Sequence, residues 1–239
     1  MTALNWQSED STIVYRIGYK PDPFAWTPWQ YATGGRFEGR WDDRDGRFRT
    51  LYVADRLLGC LLEVLADFRP DLAVLAGLND VDGDDDDQYP TAPGGTVPIS
   101  WLQPRTAGQA LMSGEFVDVS DARTVAVLRE LFAGEAAALH LPDLDAAALK
   151  LQAPRTLTQQ IAGWLYQQQL PPSGVGFGSR HDDRLRMWAI FEQPGEDETG
   201  SRRLTDQLPI ELTVDLPQLL EAFDILGLTW TPTAHAQLP

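Results

Sequence analysis

The 239-residue sequence predicts a single domain of the α+β class, in which mixed sheets of short strands carry flanking helices. Several short segments alternate apolar and polar residues as strands do, whereas others space their apolar residues three and four apart, as amphipathic helices do. The two kinds of segment do not alternate regularly, which argues against a βαβ repeat. A hydrophobic content of 43% with eight tryptophans is sufficient for a core.

The first part of the chain predicts two strands, a long loop between them and a helix. The strands are predicted at residues 11–18 and 48–54, and the polar, aromatic loop between them is long enough to be functional. A helix is predicted from about Asp55, whose carboxylate is expected to cap the first amides. Glu63 lies at the edge of the helix's apolar stripe, where a carboxylate can face a cleft. The stripe consists of Leu57, Leu58, Leu61, Leu62 and Leu65.

The second part of the chain predicts further short strands and separate helices. Strands are predicted at residues 96–102, 114–120, 187–192 and 210–216. One helix is expected to open at Ser120 and end at Gly134, and others are expected at residues 143–150, 156–168 and 217–228. The predicted organisation is a core at about 12–192, a strand-helix extension at 205–228 and a loose tail at 231–239.

The overall charge argues against several classes of function. A net charge of -16 and a pI near 4.4 are the opposite of the basic surface that binds phosphate backbones, so we expect no direct nucleic-acid contact. The first residues do not resemble a secretory signal, and no apolar run is long enough to span a bilayer. With Cys60 as the single cysteine, no internal disulfide can form. These features predict a cytoplasmic protein without a membrane partner.

Metal sites are weakly supported by the sequence. Asp80, Asp82 and Asp84 alternate as in a calcium loop, but Asp85 and Thr91 fall where such a loop needs glycine and glutamate. A solvated acidic loop is therefore the preferred interpretation of residues 79–87. With only three histidines and one cysteine, no metal site is predicted.

Familiar catalytic and nucleotide motifs are also weak. The glycines of residues 173–183 match neither the dinucleotide fingerprint nor the Walker pattern. A triad of Ser179, His181 and Asp182 is disfavoured, since sequence neighbours rarely converge on one reacting atom. Cys60 lies on the apolar helix face, where a buried free thiol is the common case.

Four segments, taken in order, resemble successive blocks of the RES domain, a family named for its arginine, glutamate and serine. They are "VYRIG", "GRWDDRDGRFRTLYVADRLLGCLLEVLADFRP", "LTQQIAGWLY" and "GVGFGSRHDDRLRMWAIFE", and they span about residues 12–192. The family's functional positions correspond here to Arg16, Arg40, Tyr52, Glu63 and Ser179. The sequence departs from the common pattern at Asp42, where many members have asparagine, and at Ile17, where an aromatic residue is usual. The acidic segment and the sequence after residue 194 are additional.

The resemblance implies a fold similar to that of ADP-ribosyltransferase toxins and a toxin that consumes NAD as its substrate, without a prosthetic group. Glu63 is expected to stabilise the cationic ribose, and Arg16 and Arg40 to hold the pyrophosphate. Tyr52 is expected to stack on or position the nicotinamide ring, and Ser179 to bond a ribose or phosphate oxygen. A small antitoxin of the Xre-like kind is the implied protein partner.

Three functions stay open at the level of sequence. The first is NAD degradation with inorganic phosphate or water as acceptor, which corresponds to an NAD+ phosphorylase or glycohydrolase. The second is transfer of ADP-ribose to a protein, which uses the same pocket. The third is a non-catalytic nucleotide-binding or interaction module.

Overall fold

The computed structural model describes residues 3–70, 95–151 and 153–231. Within these ranges the chain forms strands and helices in mixed order, which confirms the α+β prediction. The strands are β1 Trp6–Tyr19, β2 Thr50–Ala54, β3 Thr96–Val97, β4 Arg105–Asp118, β5 Gly174–Gly178, β6 Arg186–Phe191, β7 Leu204–Ile210 and β8 Thr229–Trp230. The helices are α1 Leu57–Leu65, α2 Ala122–Leu131, α3 Ala133–Ala138, α4 Ala146–Lys150, α5 Thr156–Tyr166 and α6 Pro217–Leu226. None of the helices in the described ranges is long and apolar enough to cross a bilayer.

The main sheet has six strands in the order β1-β2-β6-β5-β4-β7, and β1 also pairs with β4. This additional pairing extends along almost all of β1, whereas β1 meets β2 at the single pair Tyr15 and Ala54. The sheet is therefore closed on itself with an opening between β1 and β2. Strands β3 and β8 form a separate two-stranded sheet.

Two apolar clusters occupy the two faces of this sheet. The smaller cluster includes Val14, Leu51 and Trp188, which are at most 1% exposed. The larger cluster includes the apolar stripe of α1 and the buried faces of α5 and α6. Alternation along β2 directs Leu51 to the small cluster and Tyr52 toward the large one, because successive side chains of a strand point to opposite faces. The face that carries Tyr52 is therefore the face covered by α1.

Helix α1 confirms the predicted apolar stripe but not the predicted cap. Leu57, Leu61, Leu62 and Leu65 are buried, whereas the helix begins at Leu57 with Arg56 as an N-cap that makes no side-chain hydrogen bond. Asp55 instead extends the pairing of β2 with β6: its amide donates to the Arg186 carbonyl, and its carboxylate accepts from the Arg186 amide. The prediction of an Asp55 cap was wrong because strand pairing uses that carboxylate.

The helix predicted to run from Ser120 to Gly134 is two helices. Asp121 rather than Ser120 caps α2, since its side chain accepts hydrogen bonds from the amides of Arg123 and Thr124. Helix α2 ends at Leu131, and Gly134 lies inside α3 instead of ending a helix. The alanine-rich sequence that follows Gly134 favours continued helix, which explains the second segment.

Several strand boundaries also differ from the predictions. The first strand is longer, because a register shift between Glu9 and Thr12 allows pairing to continue to Trp6. Of the strand predicted at 96–102, only Thr96–Val97 is extended, and Ile99–Leu102 forms a 3-10 helix. The strand predicted at 114–120 is the end of the longer β4.

The last predicted strand was misplaced by several residues. It was expected at 210–216 but lies at Leu204–Ile210, where it pairs with β4. Most of its residues are exposed and it contains Pro209, which suits a strand at the sheet edge. Its sequence therefore lacks the alternation of apolar and polar residues by which a strand is predicted. The acidic residues 79–87 and the tail from residue 232 lie outside the described residues, and the proposed core boundaries of 12–192 stay a prediction.

Candidate functional site

The carboxylate of Glu63 is held by a buried serine at the end of β5. Ser179 is fully buried, and its hydroxyl donates to Glu63 Oε1 at 2.9 Å while accepting from the His181 amide at 3.1 Å. The Glu63 side chain, near the end of α1, remains 26% exposed. The carboxylate is therefore fixed on one oxygen and still open to solvent.

Two residues that follow Ser179 place nitrogen groups beside the same carboxylate. Arg180 Nε lies 3.9 Å and His181 Nε2 lies 3.7 Å from Glu63 Oε2. Arg180 Nε also donates to His181 Nε2 at 3.2 Å, so that ring nitrogen acts as an acceptor. Burial lowers the pKa of His181, and the nearby Glu63 carboxylate partly counteracts this effect. The imidazole is therefore favoured in its neutral form.

Arg40 adds a guanidinium near Glu63. Partial burial lowers the pKa of Arg40, the Glu63 carboxylate acts in the opposite direction, and Arg180 adds to the lowering. Within the described ranges Arg40 makes no hydrogen bond or ion pair, in contrast to Arg47 and Arg49, whose donors are bonded to carboxylates. Its donors are therefore available for an anionic ligand.

Tyr52 fixes the loop that carries Arg40. Its hydroxyl accepts from the Trp41 amide at 2.8 Å and donates to Asp42 Oδ1 at 3.1 Å. Asp42 also accepts from the Gly39 amide at 2.5 Å, so both neighbours of Arg40 are bonded through their main-chain amides. A Cβ at Gly39 would lie 2.5 Å from the Tyr52 hydroxyl and 2.5 Å from Asp42 Oδ2, so only glycine fits this turn. Burial raises the pKa values of both Tyr52 and Asp42.

Arg16 lies in the opening between β1 and β2. Its Nε donates to the Pro23 carbonyl at 2.7 Å and its Nη1 to the Tyr52 carbonyl at 3.0 Å. Burial lowers the pKa of this guanidinium. Arg16 also lines a cavity of about 1160 Å³ formed with the aromatic loop that follows β1. It therefore connects the Tyr52 strand to that cavity.

Four of the five predicted residues form two hydrogen-bonded pairs, and the fifth, Arg40, lies near them without a hydrogen bond among the described residues. The pairs are Glu63 with Ser179 and Arg16 with the Tyr52 carbonyl. Arg40 is close enough to Glu63 and Tyr52 for their charges to affect its pKa. The catalytic and binding roles assigned to these five residues stay predictions.

Comparison with known families bears directly on this arrangement. Residues 13–111 match the RES domain. The resemblance recognised in the sequence is thus confirmed over these residues, which include Arg16, Arg40, Tyr52 and Glu63. Ser179 lies beyond the RES match, and strand β5 brings it to Glu63.

Beyond the RES match, the similarity of the chain to curated proteins and solved structures is low. No curated protein matches the chain. Among solved structures, a chain of the M. tuberculosis MbcT-MbcA toxin-antitoxin complex is similar, with 13% sequence identity and a TM-score of 0.43. The similarity covers 95% of this chain and 93% of that chain.

Sequence reasoning missed Arg180 as a member of the site and considered His181 only as a triad or metal residue. The structure directs the His181 ring toward Glu63, whereas the contact with Ser179 comes from the main-chain amide. Asp182 bonds to Arg184 instead. The signal available in the sequence was the position of both residues directly after the matched serine. Cys60 is buried as predicted, its thiol donates to the Tyr15 carbonyl, and burial raises its pKa to about 12.

Proposed function

We propose that this protein cleaves the bond between nicotinamide and ribose in NAD, as a toxin-like enzyme of the RES kind. The observation that carries the proposal is the Glu63 carboxylate, fixed by Ser179 and partly open to solvent beside the guanidinium of Arg40. The match of residues 13–111 to the RES domain supports it. We also propose that the chain shares the fold of ADP-ribosyltransferase toxins.

The chemistry of the bond suits a fixed carboxylate. When the bond between the ribose C1 atom and the nicotinamide nitrogen breaks, the electron pair leaves with nicotinamide, which becomes neutral. The ribose is left with oxocarbenium character, and a carboxylate stabilises that developing charge. Glu63 supplies the negative charge, and the Ser179 hydroxyl prevents it from turning away.

The acceptor then attacks the ribose C1 atom. Phosphate gives an ADP-ribose phosphate, whereas water gives ADP-ribose and a proton. The neutral form of His181 leaves a ring nitrogen beside Glu63 that can accept a proton after local rearrangement. Arg40 is the proposed two-donor contact of the pyrophosphate, because a guanidinium can bond two phosphate oxygens at once. Arg16 is proposed to contribute through Nη2, since its Nε and Nη1 atoms donate to the Pro23 and Tyr52 carbonyls.

The proposal includes a protein partner. A small antitoxin that covers the Glu63 site, as the resemblance to RES toxins implies, is the partner we propose. The open, partly solvated position of Glu63 is compatible with such a cover. To test this component, the chain is co-purified with the protein encoded beside its gene. The complex should no longer consume NAD, whereas the chain alone should.

The central experiment compares NAD consumption by the wild type, Glu63→Gln and Glu221→Gln, each with and without phosphate. Glutamine keeps the shape of Glu63 but removes its charge, so we expect turnover to fall by about a hundredfold or more. Glu221 is an exposed carboxylate on α6, and its variant should retain wild-type turnover. Chromatography of the products separates phosphorolysis from hydrolysis. A folded wild type that leaves NAD intact in both buffers would overturn the proposal.

A second assay addresses transfer to proteins. Mass spectrometry of proteins incubated with the enzyme and NAD detects added ADP-ribose. If phosphate or water is the acceptor, no protein should carry ADP-ribose. Stoichiometric modification of one protein would instead identify a protein as the acceptor.

A further inference from the structure

The cavity beside Arg16 has the composition of a small-molecule site. Its volume is about 1160 Å³, and it is lined by Tyr19 at the end of β1 and mainly by the loop that follows, including Trp26, Trp29 and Tyr31. Ligand sites are typically concave, largely apolar and supplied with few polar groups. This cavity is therefore large enough for a base and a ribose and carries aromatic surfaces on which a base can stack.

The walls of the cavity are fixed before any ligand arrives. The Arg49 guanidinium lies 5.6 Å from the Trp26 ring centre and 5.7 Å from the Trp29 ring centre, within the range of cation-π contacts. Arg49 is itself held by Glu192 and Glu198, and Trp29 contacts Phe37 with ring centres 5.4 Å apart. By contrast, Tyr31 is 68% exposed and is available to cover a ligand, whereas the Tyr19 ring, 64% exposed, is contacted by the Arg105 guanidinium at 5.2 Å from the ring centre.

The charges of the lining favour a neutral group in the aromatic part and an anion at its edge. The carboxylates of the lining have partners, since Asp22 accepts from the Phe24 amide and Glu198 pairs with Arg49. The lining also carries two cations, Lys20 and Arg16, and Arg16 lies next to the Tyr52 strand. A phosphate is therefore best placed at this cationic edge beside Arg16, with an uncharged planar base beyond it.

We propose that this cavity binds the adenosine half of a dinucleotide, an inference that rests on the proposed cleavage of NAD. The base stacks against the aromatic side chains of the cavity, Trp29 and Tyr31 among them, and the phosphates pass Arg16 toward Glu63. The cavity thereby distinguishes NAD from nicotinamide mononucleotide, which lacks the adenosine half.

The first test measures binding without catalysis. Calorimetric titration with AMP should show binding to the wild type and to Glu63→Gln. Tyr31→Ala and Trp29→Ala should weaken AMP binding about tenfold or more, because each removes an aromatic side chain of the lining on which a base can stack. Trp6→Phe, at a partly exposed tryptophan of β1 outside the cavity, is the matched control and should bind AMP as the wild type does.

The second test uses kinetics. The cavity variants should raise KM for NAD while leaving kinetic constants for nicotinamide mononucleotide unchanged. AMP that fails to bind the wild type, or binds equally to Tyr31→Ala, overturns the inference; Tyr31 is exposed, so its variant is expected to fold. AMP binding that depends on the cavity in a protein that never consumes NAD would support the inference and reject the proposed function. If NAD consumption depends on Glu63 but the cavity variants leave KM for NAD unchanged, the proposed function is supported and the inference about the cavity is rejected.

Discussion

Asp42 illustrates how a single buried carboxylate links the candidate site to stability. It is 6% exposed, and its carboxylate accepts hydrogen bonds from both the Gly39 amide and the Tyr52 hydroxyl. Burial is the largest influence on its pKa and raises it. Its charge therefore costs free energy that an amide at this position does not.

The pH dependence of stability should expose this cost. The pKa of Asp42 in the folded state is raised above the value of about 3.9 for an unfolded chain, so the folded state holds the proton to a higher pH. The contribution of Asp42 to stability therefore falls as pH rises from the unfolded-state pKa to the folded-state pKa, and it stays low at higher pH. We expect Asp42→Asn to gain stability relative to the wild type as pH rises above about 4, measured by urea unfolding.

Asp143 provides a comparison of opposite sign. Its hydrogen bond with Arg129 lowers its pKa, so Asp143→Asn should lose stability relative to the wild type as pH rises toward about 4, with no further change above that pH. Because Asp143 is solvent-exposed, this effect should be small. An Asp42→Asn difference that is flat with pH would contradict the assignment of a raised pKa to Asp42.

At the scale of elements, strand β5 determines the position of Ser179, and its glycines differ in what they tolerate. A Cβ at Gly174 would lie 2.0 Å from the Ala189 carbonyl oxygen of β6, whereas one at Gly176 would meet the Trp188 side chain at 3.5 Å. Gly174→Ala must therefore separate two paired strands, and Gly176→Ala need not.

We expect Gly174→Ala to lower the free energy of unfolding by about 1–3 kcal/mol or more and to displace Ser179 from Glu63. Gly176→Ala in the same strand should remain close to the wild type. Urea unfolding measures the first effect, and NAD consumption measures the second. Equal behaviour of the two variants would show that the close approach of β5 to β6 at Gly174 is not maintained in solution.

Elements with a strong local pattern were predictable from the sequence, and those defined by distant pairing were not. The leucine stripe of α1 and the apolar run of β6 were placed within a few residues, because one face or strand is buried regardless of the rest. The edge strand β7 has no such pattern, and the pairing of β1 with β4 cannot be read from either strand alone. Similarly, family resemblance identified Glu63 and Ser179, whereas the ring direction of His181 depends on the turn after β5.

At the scale of the whole molecule, the C-terminal helix is part of the same core as the site. Helix α6 packs against α1, which carries Glu63, and Leu219 of α6 is fully buried while the adjacent Leu220 is 50% exposed. Strand β7 adds to the main sheet through β4. The support for α1 thus comes partly from the chain beyond the RES match.

The neighbouring leucines of α6 give a matched test of this support. Leu219→Ala should lower the free energy of unfolding by about 2–5 kcal/mol, because it leaves a cavity in the core. Leu220→Ala should change it by less than about 0.5 kcal/mol. Urea unfolding followed by tryptophan fluorescence measures both, and similar losses for the two variants would place the buried face of α6 elsewhere.

The hydrogen bond between Ser179 and Glu63 joins residues 116 positions apart. A ribosome that has released only the first 150 residues has made Arg16, Arg40, Tyr52 and Glu63, but neither Ser179 nor the strands β5 and β6 that complete the sheet beside β2. A growing chain therefore lacks the assembled site until β5, Ser179 and β6 have been synthesised and paired. The order of strands along the chain thus sets a delay between the synthesis of Glu63 and the first moment at which the candidate chemistry is available.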